Sequence, residues 1–434
     1  MGGDKGPKMH AFTPSHKVAL EWRIMNNLLS LRLVSSLCLF AFCSQLVMAR
    51  ETVPPSPLGI ANDAYGELLG QDNPVKDQVS AGVAVAESQK PKPKGNKKKR
   101  EKRGSFVVAP IPISNPALGS GIVPVVAYIF PITRKDKVSQ PSVLGAGGLI
   151  TNDGSRAFAL AAQLYFKENT YRSTVFYGHG NLDYDLYGSG VFTGLKLPLV
   201  QTGEVFQAEF LRRIMWQFFL GPRVTVGNSI ITLAPSSGST PPPPPDIGFH
   251  TQLTSLGVRL TRDTSKNRFY PTNGTYFVFT SDFYSTDLGS KYTFQSYKGS
   301  FDKYWSLNKS QVVVSDSFAC TTAGQPPFYM NCIYGSSNEL RGYTAGKYFD
   351  RHMVTTQGEY RLALPYRLGV VGFGGIGEAI PGSDQLLFRH NDFLPAGGVG
   401  LRLLLSKDYH VNLRSDFAWG KDGHTFTLGV GEAF

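Results

Sequence analysis

The 434-residue chain is 18% charged and 12% aromatic, holds 47 glycines and carries a formal net charge of +12. Low charge with abundant Gly, Tyr and Phe suits strands and turns better than helices, and a mean hydropathy of −0.14 excludes a helical membrane protein. The cationic excess does not make a nucleic-acid binder. Residues 1–104 hold 16 Lys and Arg against 9 acids, whereas residues 105–434 hold 28 against 23, so the larger part lacks a focused basic field.

Residues 1–49 read as a signal peptide, with Met25 an alternative start. Arg32 precedes an apolar core from Leu33 to Phe42, and Val47 and Ala49 form an A-x-A-like cleavage site before Arg50. The apolar run is too short to anchor the chain across a bilayer. Phe42 ahead of Cys43 excludes a lipoprotein, which needs a small residue there. Residues 50–104 read as a disordered, Lys/Arg-rich periplasmic linker. Its stretch Lys90–Arg103, KPKPKGNKKKREKR, buries nothing and repels itself. It is a solvated tether, or a contact for anionic lipid head groups or cell-wall polymer.

From Ser105 to Phe434 the pattern is that of a transmembrane antiparallel β-barrel of the all-β class. In Arg156–Phe166, Phe158, Leu160, Leu164 and Phe166 share one face. In Met353–Leu364, Gln357, Glu359 and Arg361 stand opposite Val354, Tyr360, Leu362 and Leu364. In His410–Trp419, Asn412, Arg414 and Asp416 stand opposite Val411, Leu413, Phe417 and Trp419. An apolar face against a polar or charged one is what a strand between lipid and a wet lumen requires. Short breaks fall near Lys167–Thr170, Ser265–Asn273, Leu307–Ser310, Pro365–Leu368 and Ser406–Tyr409. Longer ones fall near Asn181–Gly194, Ala234–His250, Thr322–Tyr343 and Pro381–Leu394. Tracing the alternation predicts sixteen strands, an even count that returns both barrel ends to the periplasm. The Pro241–Pro245 run then belongs in an outer loop. The final segment HTFTLGVGEAF places Phe426, Leu428, Val430 and Phe434 on one face, interrupted by Glu432 near the membrane edge. Terminal Phe434 resembles the targeting signal that such barrels present to the assembly machinery.

Several motifs in order resemble the bacterial surface antigen family, the barrel of BamA/TamA-type outer-membrane proteins. They are LGVRLTRDTSKNRFYPTNGTYF (Leu256–Phe277), with Ser265 where Arg is usual, then Leu340-Arg341-Gly342-Tyr343, QGEYRLALP (Gln357–Pro365), and PAGGVGLRLLL followed by VNLRSDFAWG. The resemblance implies a sixteen-stranded barrel whose sixth outer loop carries Arg341 back into the lumen to meet carboxylates. Glu359 and Asp416 are the candidate partners, with Arg361 on the same lumenal face. The family's Phe-x-Asp-x-Gly is here Phe373-Gly374-Gly375-Ile376-Gly377, so Gly375 replaces the acid and the pairing must shift. The alternative is an exposed Arg341 in a mobile loop. Residues 50–104 are too short for a POTRA module, so the resemblance covers the barrel without client-capture modules.

Other motifs add less. Gly372–Gly377 spells G-x-G-x-x-G but opens no helix, so it is no dinucleotide site; its glycines suit the close approach of a loop. Cys320 and Cys332 flank the start of the sixth loop and, in an oxidising compartment, form a disulfide or remain free thiols. No His or Cys cluster has metal-ligand spacing, and no cofactor is expected. There is no G-x-S-x-G, and the chain is read as a non-enzyme. The expected function is insertion or transport of protein or lipid at the outer membrane. The partners are outer-membrane lipid, the barrel assembly machinery during biogenesis, and a client of unknown identity, with no nucleic acid. A passive pore or structural surface protein is the alternative, and a barrel lipid hydrolase a third reading.

Overall fold

The computed structural model describes residues 104–115, 119–133, 136, 138–187, 196–233, 249–265, 270–334, 340–344, 346–380, 393–406 and 410–434. The predicted signal peptide, all of the linker but Gly104, and the Pro241–Pro245 run lie outside the described residues. Among the described residues eighteen strands follow one another: β1 (Ser105–Asn115), β2 (Gly119–Phe130), β3 (Ser142–Thr151), β4 (Arg156–Phe166), β5 (Tyr171–Tyr187), β6 (Lys196–Arg213), β7 (Phe218–Leu233), β8 (Phe249–Asp263), β9 (Gly274–Tyr284), β10 (Phe294–Asn308), β11 (Gln311–Gly324), β12 (Cys332–Ile333), β13 (Phe349–Asp350), β14 (His352–Ala363), β15 (Leu368–Ile380), β16 (Leu394–Ser406), β17 (Val411–Gly420) and β18 (Gly423–Val430). Sixteen of them form one closed antiparallel barrel in chain order, while β12 and β13 pair as a small separate sheet within the connection from β11 to β14.

The wall follows from the period of two. On β16, Val399, Leu401 and Leu403 point outward, with Leu401 64% exposed, while Arg402 between them is 4% exposed and turned inward. On β14, Gln357, Glu359 and Arg361 are buried inside while Tyr360 is exposed outside. The interior is filled unevenly. Along β1–β5 it is apolar, with Ile111, Val123, Val125, Leu149, Phe176 and Leu182 packed together. Along β14–β18 it is charged, with Glu359, Arg361, Arg402, Arg414 and Asp416 all buried.

The closure is also uneven. β1 pairs with β2 along its whole length, from Ser105↔Ile129 to Asn115↔Gly119, but meets β18 at the single register position Ser114↔Leu428.

Two expectations are corrected. Asn181–Tyr187 is strand rather than loop, because β5 pairs with β6 as far as Tyr187↔Lys196. Phe434 does not continue the outward face of the last strand: β18 stops at Val430, and Gly431, at φ +100°, turns the chain. The Gly431 N–H donates to the Asn412 carbonyl, and residues 431–434 fold back under the barrel. There Phe434 packs against a cluster containing Tyr270 and Tyr304, and Glu432 reaches the lumenal arginines.

Because the outer face of β16 meets hydrocarbon, Leu401→Arg is expected to cost about 2–4 kcal/mol and Leu401→Ala much less. Urea unfolding of the barrel in phospholipid vesicles measures both.

Candidate functional site: a charged ring inside the barrel

The rim from which β1 starts and at which β18 ends is the terminal rim; the connection from β11 to β14 leaves the opposite, loop rim. That connection is tied at its start by a disulfide between Cys320 and Cys332. Instead of standing clear of the barrel, its middle dips into the lumen. Leu340, Arg341 and Tyr343 are buried. The Tyr343 hydroxyl donates to the Pro395 carbonyl at 2.6 Å and accepts the Lys421 N–H at 3.3 Å. Burial raises the pKa of this phenol, so it stays protonated and able to donate. Gly342 sits at φ +110°, and a Cβ there would lie 2.7 Å from the Trp419 carbonyl oxygen. The turn that delivers Arg341 therefore needs a glycine on two counts, conformation and space.

Arg341 enters a ring of alternating charges. Its guanidinium lies 2.7 Å from Glu359 and 3.0 Å from Asp416. Glu359 is 2.6 Å from Arg361, which approaches Glu432 at 3.8 Å. Glu432 is 2.7 Å from Arg402, and Arg402 closes the circuit on Asp416 at 2.5 Å. Three guanidinium groups and three carboxylates thus alternate, drawn from the inserted loop, β14, β16, β17 and the tail. All six side chains come from the last quarter of the chain. Arg414 lies in register with Arg402 across β16 and β17, also buried.

The replaced acid has a structural answer. A Cβ at Gly375 would lie 2.6 Å from Cγ of Gln357, so the Gln357 side chain occupies the room left there. Its Oε1 accepts from the Arg341 backbone N–H at 3.5 Å and from Nε at 3.4 Å. Phe373, two residues earlier, lies flat beneath the guanidinium at 3.5 Å from its carbon to the ring centroid, a cation–π contact in a desolvated site. From the terminal rim, Arg361 donates to the Phe434 backbone oxygen at 2.6 Å and to the Pro271 carbonyl at 3.4 Å. The Phe434 ring lies 5.2 Å from the Arg341 guanidinium carbon. A loop from one rim and a tail from the other therefore meet at the same arginine.

Of the residues singled out from the sequence, Arg341, Glu359, Arg361 and Asp416 come together in this ring, although Arg361 reaches Arg341 only through Glu359. Arg402, Glu432, Gln357 and Phe373 were missed. Arg402 had left a signal, as the lone charge in the apolar strand PAGGVGLRLLL. Gly372–Gly377 gives the loop room, since a Cβ at Gly377 would meet the Tyr334 hydroxyl at 2.6 Å. Among the described residues no His, Cys, Asp or Glu group is arranged to hold a metal ion.

Residues 224–434, which hold the inserted loop and every member of the ring, match the Omp85 superfamily domain. The match agrees with the resemblance to surface antigen barrels read from the motifs. Such a barrel implies the bacterial outer membrane. In fold it is similar to BamA from Haemophilus ducreyi lacking POTRA domains 1–3, with a TM-score of 0.51 at 13% identity over 86% of this chain and 82% of that one. It is also similar to CdiB from Escherichia coli, with a TM-score of 0.50 at 10% identity over 86% of this chain and 74% of that one. No curated protein matches the chain.

Removing one member of a buried ion network leaves another charge without compensation, at a cost of about 3–5 kcal/mol. Glu359→Gln is therefore expected to raise the population of withdrawn loop about a hundred-fold or more, read as faster tryptic cleavage after Arg341, Lys347 or Arg351. Asp422→Asn, which removes the charge facing Lys347 at 3.3 Å on the rim and leaves an amide oxygen to accept from the Tyr348 hydroxyl, should leave cleavage nearly unchanged.

Proposed function

We propose that this barrel inserts or passes segments of protein or lipid at the outer membrane through its β1–β18 seam. One observation carries the reading: every other pair of neighbouring wall strands is joined at eight or more register positions, whereas β1 meets β18 at Ser114↔Leu428 alone. A strand edge left largely unpaired is a template for another chain or a weak line in the wall. The lumen favours the same route. It is crossed by the loop carrying Arg341 and floored by Tyr270 and the 431–434 tail, which argues against a passive pore. In this reading residues 1–49 are the export signal and residues 50–104 a periplasmic tether. The terminal rim faces the periplasm, Phe434 serves recognition by the barrel assembly machinery, and the chain works without a catalytic centre of its own.

Directly opposed residues of an antiparallel pair are close enough for a disulfide. The double variant Ser114→Cys/Leu428→Cys should therefore close the seam covalently. In cells that depend on this chain, the oxidised double variant is expected to lose its effect on outer-membrane protein and lipid composition. Reductant should restore it, and either single variant should behave as wild type. A locked barrel that sustains normal composition would overturn the seam reading.

A further inference from the structure

The outer surface at the terminal rim is not uniform. On β6, Phe206 and Phe210 are exposed while Gln207, Glu209 and Leu211 are buried, so Arg212 continues the outward face. By the same alternation Arg262 follows Leu256 and Val258 on β8, and Lys303 lies between Phe301 and Trp305 on β10. The acids of these strand ends are disposed the other way. Glu209 and Asp302 are buried inside, and Oδ1 of Asp263 is held by the backbone N–H and hydroxyl of Ser265. The outward positions of β6–β10 near this rim therefore carry bases and no carboxylate.

Aromatic rings interleave with these cations. The Arg262 guanidinium lies 5.5 Å from the Phe218 centroid, and the Lys303 ammonium 5.8 Å from that of Trp305. Arg262 is fixed in place: its Nε donates to the Trp216 carbonyl at 2.9 Å and Nη1 to the Thr275 hydroxyl at 3.4 Å. Trp216 itself projects from the β6–β7 turn at φ +52°, 76% exposed, beside exposed Met215. An indole left largely exposed on a left-handed backbone is costly in water and suited to the head-group layer of a membrane. The other half of the same rim differs in its wall, where β14–β16 show Leu364, Leu368 and Leu403 outward and no base; its exposed Tyr366 and Arg367 lie in the turn between strands.

We infer that the β6–β10 face at the terminal rim is a binding site for the phosphate groups of anionic phospholipid in the adjoining leaflet, with Arg212, Arg262 and Lys303 as its cations and Trp216 and Trp305 as its interfacial anchors. In the barrel order β8 and β9 stand eight strands from the seam in either direction. The lipid-held face is therefore diametrically opposite the weakly paired one, which fixes one side of the wall and leaves the leucine-rimmed side to move. The inference rests on the membrane-spanning reading but not on transport; a seam-locked barrel should keep its lipid preference.

The full chain in nanodiscs of mixed phosphatidylglycerol and phosphatidylcholine, released in native mass spectrometry, reports which lipids stay bound. Wild type is expected to retain phosphatidylglycerol preferentially. Arg212→Gln, Arg262→Gln and Lys303→Gln should each lower that preference about five-fold. Every variant keeps the Lys90–Arg103 stretch, so its attraction for anionic lipid cancels. An unchanged preference in all three overturns the site. Should the variants fail to fold, wild type and Trp216→Phe decide it. Brominated phosphatidylglycerol should quench wild-type tryptophan emission more than brominated phosphatidylcholine, and the difference should shrink in Trp216→Phe. Equal quenching by both lipids in wild type overturns the proposal.

Discussion

The C-terminal half of this barrel depends on one electrostatic constraint: a guanidinium carried into the lumen must find carboxylates there. Arg341 finds two, and each is shared with a further arginine, so the circuit closes only when the loop, three strands and the tail are all in place. Within a low-dielectric interior an open member of such a circuit costs several kcal/mol. The ring acts as a register mark that ties the inserted loop and the tail to β14, β16 and β17. It also explains features that look unrelated in the chain, such as a glycine beside the arginine, Gly375 where the resemblance leads one to expect an acid, and a tail that leaves the wall.

The same constraint divides the interior. Where the lumen is apolar, along β1–β5, packing of Val, Ile, Leu and Phe fills it without demanding partners. Where it is charged, along β14–β18, each side chain is positioned by another. The seam lies between these two regimes, bounded by an apolar-filled wall on one side and by the ring on the other. A closure with a single register pair at that boundary can loosen without opening an ion pair, because no ring member belongs to β1.

How much of this was legible in the sequence follows from the range of the signals. Strand identity and facing are local: a period of two over ten residues placed Gln357, Glu359 and Arg361 inside and Tyr360 outside, and sixteen strands followed from turn spacing. Glu359 and Asp416 were accessible for the same reason, once Arg341 was read as an inward loop residue. Arg402 was equally placed by its alternation, but nothing local says which carboxylates it meets, since Asp416 and Glu432 lie on other elements. Glu432 and Phe434 were misplaced because the alternation of the last strand was carried through Gly431. A glycine within a Gly-rich strand gives no warning that it adopts a positive φ and ends the ladder.

The position of the ring along the chain has a kinetic meaning. Arg341, Glu359, Arg361, Arg402, Asp416 and Glu432 fall within a span of fewer than a hundred residues, although the barrel they stabilise is more than three times that length. Their pairing requires only short-range loop closures, whereas the β1–β18 contact joins the two extremes of the domain and has the highest contact order in the molecule. The last quarter of the chain can neutralise its own charges before the first strands arrive. The closure that the longest stretch of chain separates is thus also the one joined at the fewest register positions.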